Sequence, residues 1–179
     1  MGLIFRETKL RDAFVIEPEM FEDERGFFAR SFSVREFESH GINPRIAECN
    51  LSFNKKRYTL RGMHFQAEPC EQTKLVRCTR GAIYDVIVDL RPDSPTFKQW
   101  VAEELTAENR RMLCVPGGFA HGFQTLEDNT EIFYQVSDFY APASAGGIRW
   151  NDPAFAIKWP ATHGVTINER DQTYPDFKS

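Results

Sequence analysis

The chain contains the stretch Leu60-Arg61-Gly62-Met63-His64-Phe65-Gln66, in which an arginine and a histidine interrupt an otherwise strand-like sequence. Alternate side chains of a strand point to opposite faces, so one face is expected to carry Leu60, Gly62, His64 and Gln66. Glycine on that face leaves room for a ligand to approach closely. Taken alone, His64 could equally be a hydrogen-bonded histidine in a half-buried strand, so its meaning depends on the rest of the chain.

Composition limits the possible classes of protein. A length of 179 residues suits one domain, residues 1–179, with a substantial core. Hydrophobic residues make up 41% and charged residues 27%, which is typical of globular proteins. The net charge of -4 argues against a nucleic-acid partner, which would require a clustered basic face. An anionic ligand must therefore be bound by a few placed cations.

The cysteines and the absence of long apolar runs indicate where the protein resides. Cys49, Cys70, Cys78 and Cys114 have neither CxxC spacing nor the density of a disulfide scaffold, so reduced thiols are expected. The first residues, Met1 to Glu7, lack the apolar core of a signal peptide, and no run approaches the length of a membrane span. We expect a soluble, unexported cytoplasmic protein without a membrane partner.

Short strands separated by turn residues dominate the chain from Ile46 onward. The predicted strands are Ile46–Phe53, Thr59–Gln66, Lys74–Thr79, Ala82–Leu90, Trp100–Leu105, Arg111–Val115, Gly122–Leu126 and Glu131–Phe139. This spacing predicts an all-β antiparallel sandwich or barrel. The strand at Asp85 to Leu90 is the clearest, with Val86, Val88 and Leu90 on one face.

The flanking regions are predicted from local signals. Residues 1 to 20 favour a strand pair or an exchanged arm. Residues 34 to 41 favour a short helix with Ser33 as N-cap and Gly41 as its stop, the longest helix in the chain. The segment beyond Tyr140, rich in Pro, Trp and Gly, is expected to pack back on the barrel in irregular form.

A second histidine follows the turn Pro116-Gly117-Gly118, in Phe119-Ala120-His121-Gly122-Phe123. Two histidines from separate strands indicate the interior of a small barrel, where pockets form. The two stretches resemble the halves of a degenerate cupin signature. This resemblance implies a cupin-type antiparallel β-barrel (a double-stranded β-helix or jelly roll) with a few short helices. Positions where a metal-binding cupin needs donors hold Gln66 and Lys74, and an ammonium cannot bind a metal, so neither metal nor cofactor is expected.

The chain resembles a more specific family, the dTDP-4-dehydrorhamnose 3,5-epimerases, over nearly its whole length. The matching blocks are Phe21-x-Asp23-x-Arg25-Gly26-x-Phe28, Asn50-x-Ser52, Leu60 to Gln66, Lys74 to Arg77, Gly81 with Asp85 to Arg91, Ser94 to Phe97, Pro116 to Phe123, Tyr134 with Tyr140, and Trp150 to Pro153.

The resemblance implies a role for each site residue. In a 4-keto sugar the hydrogens on C3 and C5 are acidic, so inversion needs a base, an acid on the opposite face, and a cation at the enolate oxygen. His64 is implied as the base, Asp171 as the aspartate that orients it, Lys74 as the cation and Tyr134 as the acid. Implied substrate contacts are Phe21, Asn50, His121 and Tyr140, with Arg25 and Arg61 at the diphosphate, helped by Arg170 where relatives more often have lysine.

Each of these residues also has a structural interpretation. Tyr134 and Tyr140 could be aromatic wall residues of the barrel, and Asp171 could cap a turn. Lys74 could be a solvated residue of an edge strand. Only the joint occurrence of these residues with the family blocks favours the functional interpretation.

Two departures from the family concern the substrate. Where thymidine-specific members carry a glutamate and a glutamine, this chain has Arg30 and Glu48. Arginine only donates hydrogen bonds, so these two residues could read cytosine or guanine instead of thymine. Alternatively, they form a salt bridge away from any ligand. The second departure is Tyr58, where relatives usually have glycine; it could alter either a turn or the pocket rim.

The sequence thus predicts an isomerase that epimerises C3, C5 or both in a nucleotide-linked 4-keto-6-deoxyhexose, with dTDP-4-dehydro-6-deoxyglucose as the first choice. By resemblance it is a homodimer that exchanges an N-terminal strand. The alternatives are an epimerase or ketoisomerase acting on a CDP- or GDP-linked sugar, a metal-dependent cupin enzyme, and a non-catalytic sugar-binding cupin.

Overall fold

The structure, a computed structural model, describes residues 2–177. In chain order its elements are β1 (Leu3–Glu7), β2 (Phe14–Pro18), β3 (Met20–Asp23), β4 (Gly26–Ala29), α1 (Val34–Ser39), β5 (Glu48–Asn54), β6 (Leu60–Gln66), β7 (Lys74–Arg80), β8 (Ala82–Asp89), β9 (Trp100–Thr106), β10 (Met112–Val115), β11 (Phe119–Thr125), β12 (Thr130–Val136), β13 (Ala145–Gly147) and α2 (Glu169–Gln172).

Two antiparallel sheets form the body of the protein. One has the strand order β1-β2-β10-β7-β12-β5 and the other β13-β6-β11-β8-β9, while β3 and β4 form a separate hairpin. Side chains from both large sheets share one buried cluster, including Val76 and Ile132 from the first and Ile83 and Ile87 from the second. The predicted all-β antiparallel architecture is confirmed, with strand ends shifted most at β11 and β12.

The faces of β8 also follow the prediction. Ile83 and Ile87 point into the space between the sheets, whereas Val86 and Val88 point to the opposite side. There they pack against residues of the C-terminal segment, among them Phe155. Both faces of this strand are therefore covered, which explains its nearly continuous run of apolar residues.

The segment beyond Tyr140 packs back on the five-stranded sheet, as predicted. Trp159 is buried and its Nε1 donates to the carbonyl of Trp150 at 2.7 Å. Further along, Leu60 N donates to Thr166 O at 2.8 Å, which ties the segment to the start of β6. This anchoring determines where the short helix α2 begins, beside the middle of β6.

The N-terminal region forms a strand pair in which β1 and β2 are antiparallel. Helix α1 lies where predicted and is the longer of the two helices among residues 2–177, and Gly41 follows it with a φ of +72°. Ser33 occupies the N-cap position in extended conformation, but its side chain makes no capping hydrogen bond.

The strict alternation predicted for β6 is wrong. His64 pairs with His121 and Arg61 with Phe123, so three steps on β6 match two on β11, which is a β-bulge. In consequence Arg61 and His64 line the same cavity, while Leu60 and Met63 share the core behind it. Gly62 is required at this bulge, because a Cβ there would lie 2.5 Å from the Cα of Gly122.

Candidate active site

A cleft between the two sheets contains most of the predicted site residues. It has two lobes of about 490 and 430 Å³. Four residues line both lobes: His64, Lys74, Tyr134 and Arg170. The first lobe adds Glu48, Asn50 and Tyr140, and the second adds Arg61 and His121. The cleft is therefore one continuous site.

His64 forms a hydrogen-bonded pair with Asp171 in one wall of the cleft. The distance from His64 Nε2 to Asp171 Oδ1 is 2.8 Å, and Asp171 Oδ2 accepts from the backbone N–H of Gly62 at 3.0 Å. Burial raises the pKa of Asp171, but the hydrogen bonds from His64 and Gly62 outweigh it and hold the pKa below its ordinary value. A carboxylate only accepts, so the Nε2 proton belongs to His64 and its Nδ1 is free to accept a proton.

Helix α2 brings the carboxylate to the histidine. Its N-cap Asn168 accepts from Asp171 N at 2.7 Å. The sequence-based alternative for Asp171, a turn-capping role, does not describe its side chain, which is fully buried against His64. Arg170, also on α2, is mostly exposed, and its guanidinium lies 3.3 Å from His64 Nε2 and 3.6 Å from Asp171 Oδ1.

The opposite wall presents Lys74 from β7 and Tyr134 from β12. Burial lowers the pKa of Lys74 to about 8, although the charge of Asp85 opposes this effect. Burial also raises the pKa of Tyr134, with Arg61 opposing, so its phenol keeps its proton at neutral pH. A cation and a proton donor therefore face a proton acceptor across the cleft.

A second histidine–aspartate pair lies beside the first. His121 Nε2 is 2.7 Å from Asp85 Oδ1, and the Asp85 side chain is fully buried. Because His121 and His64 are direct partners across β11 and β6, both rings open onto the same cleft.

Three predicted substrate contacts lie outside the cleft of this chain. Phe21 and Arg25 are on the exposed β3–β4 hairpin, where Arg25 pairs with Asp23. Arg30 pairs with Glu36 at 3.1 Å and lines a different cavity of about 250 Å³. Glu48 does line the cleft, so neither the joint base-reading site nor a salt bridge between Arg30 and Glu48 is formed within one chain.

Gln66 occupies the place where a metal-binding cupin needs a ligand. Its side-chain amide forms hydrogen bonds with main-chain groups. Its Nε2 donates to Cys70 O at 2.7 Å and its Oε1 accepts from Ala141 N at 2.7 Å. Within residues 2–177 no group of three or more His, Cys, Asp or Glu side chains could hold a metal ion. Gln66 instead fixes the loop that carries Tyr140.

Comparisons with known proteins identify the family. The model of the dTDP-4-dehydrorhamnose 3,5-epimerase family matches residues 7–179. The chain belongs to this family. The dTDP-4-dehydrorhamnose 3,5-epimerase of Salmonella typhimurium is 44% identical over 97% of this chain and 94% of its own length.

Solved structures of this epimerase family share the fold, a cupin-type jelly roll. The Bacillus anthracis enzyme with TDP and pyrophosphate bound has a TM-score of 0.93 and 44% identity, covering 98% of this chain and 100% of its own. The Legionella pneumophila enzyme in complex with dTDP-4-keto-L-rhamnose has a TM-score of 0.88 and 38% identity, covering 95% and 90%. The predicted fold and family are confirmed.

The sequence prediction did not single out two residues that adjoin the predicted site, Tyr174 and Asp85. Tyr174 lines the first lobe, with its ring edge-on to His64 at 6.3 Å between centroids. Asp85 supports His121 from behind, and a carboxylate on the inward face of an apolar strand was a signal that could have identified it. Tyr58 lies in a turn with a φ of +59°, which explains why glycine suits this position, and it lines neither lobe.

Proposed function

We propose that this protein converts dTDP-4-dehydro-6-deoxyglucose to dTDP-4-dehydrorhamnose by inverting C3 and C5, with residues 1–179 acting as one domain. The observation that carries this proposal is the placement of His64 with Asp171 on one wall of the cleft and Lys74 with Tyr134 on the other. The named relatives support the dTDP sugar as substrate.

The reaction begins with proton abstraction. The Nδ1 atom of His64 takes the proton from C3 or C5. The electron pair of that C–H bond forms a double bond to C4, and the carbonyl electron pair moves onto the C4 oxygen to give the enolate. Asp171 stabilises the resulting imidazolium. The ammonium of Lys74 meets the negative charge that develops on the C4 oxygen, so the mechanism needs neither a metal nor a redox cofactor.

Reprotonation completes the inversion. Tyr134 donates its phenolic proton to the same carbon from the opposite face, and the carbonyl re-forms at C4. Solvent then returns a proton to Tyr134 and removes one from His64. Each inverted carbon thereby acquires a hydrogen from water, which gives the reaction a direct isotopic signature.

Asn50, His121 and Tyr140 hold the substrate, and Arg61 binds the diphosphate with help from Arg170. Glu48 lines the cleft and is placed to contact the base, but its carboxylate does not by itself distinguish thymine from another base. A carboxylate can accept from thymine N3–H, as it can from the amino group of cytosine or guanine. The named relatives support the dTDP-linked sugar as the substrate. The CDP- and GDP-linked sugars therefore serve as comparison substrates in the NMR experiment in D2O.

The active protein is a homodimer in which Arg25 and Phe21 of one subunit reach the cleft of the other, with exchange of an N-terminal strand. Three large apolar side chains are exposed in one subunit: Phe21 at 52%, Phe28 at 66% and Leu51 at 68%. Exposed apolar side chains of this kind support a surface that the second subunit covers.

None of the helices in the described part of the chain is long and apolar enough to span a membrane. Four free cysteines suit the reducing cytoplasm, where we place the enzyme.

Subunit complementation tests the dimer. Arg25→Ala and His64→Ala are expected to be inactive separately. After mixing and subunit exchange, a mixed dimer has one site with both native residues, so about a quarter of the wild-type sites should return. If activity does not return although the subunits exchange, Arg25 acts within its own chain or not at all.

Proton NMR in D2O tests the reaction itself. The protein is incubated with dTDP-, CDP- and GDP-linked 4-keto-6-deoxy sugars while C3 and C5 are followed. Deuterium at both carbons with the dTDP sugar is the expected result. Binding without exchange in any sugar would support the non-catalytic sugar-binding cupin, and a moved carbonyl would support a ketoisomerase.

A further inference from the structure

Asp85 is an incompletely satisfied carboxylate beneath the cleft. Its side chain is fully buried, Oδ1 accepts from His121 Nε2 at 2.7 Å, and Oδ2 has no hydrogen-bond partner within residues 2–177. A buried carboxylate oxygen without a partner is costly and uncommon in folded proteins. The position therefore calls for an explanation in terms of what the charge does.

The charge of Asp85 acts on Lys74. Lys74 lines both lobes of the cleft, and it shares the second lobe with His121, the hydrogen-bond partner of Asp85. The buried carboxylate therefore lies near the ammonium, where its charge opposes the lowering of the Lys74 pKa by burial. Since no hydrogen bond compensates Oδ2, its negative charge remains available to the ammonium. The other charged or titratable groups that face the same cleft are Glu48, Arg61, His64, His121, Tyr134, Tyr140, Arg170 and Tyr174.

We propose that Asp85 is a positioning residue that keeps Lys74 cationic and holds His121 with its Nε2–H directed away from the substrate. The inference rests on the proposed epimerase function, in which Lys74 must carry a proton when the enolate forms. It assigns the two aspartates different tasks. Asp171 supports the base, and Asp85 supports the groups around the substrate carbonyl.

Asp85→Asn provides the test, because asparagine keeps the size of the side chain and removes its charge. Loss of a nearby negative charge lowers the pKa of a lysine. The titration midpoint of Lys74 in the variant should therefore lie about one pH unit below that of the wild type. The titration is followed by NMR of ε-13C-labelled lysine, with the Lys74 signal assigned from Lys74→Arg. This measurement does not need a turning-over enzyme.

The matched control is Asp152→Asn, which removes another buried carboxylate, one that accepts from the backbone N–H groups of Ala154 and Phe177 outside the cleft. Its Lys74 titration should coincide with that of the wild type. An unchanged Lys74 midpoint in Asp85→Asn would overturn the proposal, whereas a shift in both variants would show a general effect of lost charge and would also overturn it.

Turnover gives a second readout. In the wild type, kcat/KM should fall as pH rises through the Lys74 pKa of about 8. In Asp85→Asn this alkaline limb should move to lower pH, and lowering the pH should restore activity. A merely structural role would reduce activity at every pH without moving the limb. If the wild type exchanges no deuterium, the proposed function fails while the lysine titration still decides the role of Asp85.

A measurement on the wild type covers the case in which Asp85→Asn does not fold. Nitrogen-15 NMR of His121 should show a protonated Nε2 and an unprotonated Nδ1 in the neutral ring. The opposite tautomer would contradict the orientation that we assign to Asp85.

Discussion

His64 and His121 lie opposite each other on adjacent strands, and each contacts a fully buried aspartate through Nε2. Their assembly differs. Asp85 comes from β8, the strand next to His121 in the same sheet, whereas Asp171 comes from α2, 107 positions along the chain from His64. The His64 side chain is 33% exposed and that of His121 11%.

The difference favours the proposed division of roles between the two pairs. A base needs direct access to the C–H bonds of the substrate, and His64 is the more exposed of two rings that open onto the same cleft. The His121 pair depends on strand register alone, but the His64 pair also depends on correct docking of the C-terminal segment. We therefore expect the His64 pair to be the more easily disrupted.

Replacing His64 and His121 one at a time should give the largest difference between the two pairs. His64→Ala should lower deuterium exchange at C3 and C5 by at least about 10³-fold, because we assign proton abstraction to its imidazole. Binding of dTDP, measured by calorimetry, should persist. His121→Ala should weaken substrate binding while exchange remains measurable. The reverse pattern would assign the base to His121.

Asp171→Asn should have the next largest effect, a loss of about 10²- to 10³-fold in kcat. The amide group of asparagine can donate to Nε2, which favours the tautomer with the proton on Nδ1 and so blocks the base. The KM should change little, because Asp171 lies behind His64. A large rise in KM with kcat preserved would instead indicate that Asp171 shapes the pocket.

The same variant tests the contribution of Asp171 to stability. The folded-state pKa of Asp171 lies below the ordinary aspartate value of 3.8, so its carboxylate stabilises the fold above that pH, and the contribution disappears as pH falls through the folded-state pKa. Urea unfolding should therefore show Asp171→Asn to be less stable than wild type at pH 7, with the difference narrowing at acid pH. A difference that is constant with pH would contradict this linkage.

Tyr134→Phe tests the proposed acid on the wall of the cleft opposite His64. Proton abstraction needs only the His64 pair, so product formation should fall by about 10²-fold while exchange is reduced less. Both rates come from one NMR time course in D2O. Equal losses would mean that Tyr134 has a structural role.

The smallest effect concerns how the C-terminal segment docks. A Cβ on Gly147 would lie 2.3 Å from the Tyr174 ring, so Gly147→Ala should displace Tyr174 and loosen α2, lowering kcat by less than about tenfold. The same Cβ would also lie 2.8 Å from Met63 O, so the double variant Gly147→Ala/Tyr174→Ala keeps a backbone clash and should be less active than Tyr174→Ala alone. Equal activity of these two variants would mean that the contact with Tyr174 accounts for the whole effect.

Much of the fold could be predicted from the sequence because strand periodicity and turn residues are local signals. The bulge in β6 could not, since it arises from the register between β6 and β11 and from the close approach of Gly62 to Gly122. For the site, the family blocks identified His64, Lys74 and Tyr134, which do meet in the cleft. Their catalytic roles remain predictions.

Three residues predicted to contact the substrate lie outside the cleft of their own chain. Phe21, Arg25 and Arg30 follow one another closely in the chain, but in one subunit they point to an exposed hairpin or to a separate cavity. In the dimer that we propose, Phe21 and Arg25 belong to the cleft of the other subunit, and a sequence block does not say which subunit supplies a residue. Asp85 was missed because its contact with His121 depends on which strands are neighbours in the sheet, and the sequence does not show this.

The origin of Asp171 on α2 has a consequence for protein synthesis. Translation proceeds from the amino end, so every strand of both sheets, and with them His64, Lys74 and Tyr134, is made before Asp171 is added. A chain in synthesis therefore has all the strands of both sheets before it has the carboxylate that orients His64, and its cleft then still lacks Tyr174 as well. The proposed catalytic pair of His64 and Asp171 receives its second member from the ribosome after every other proposed catalytic residue.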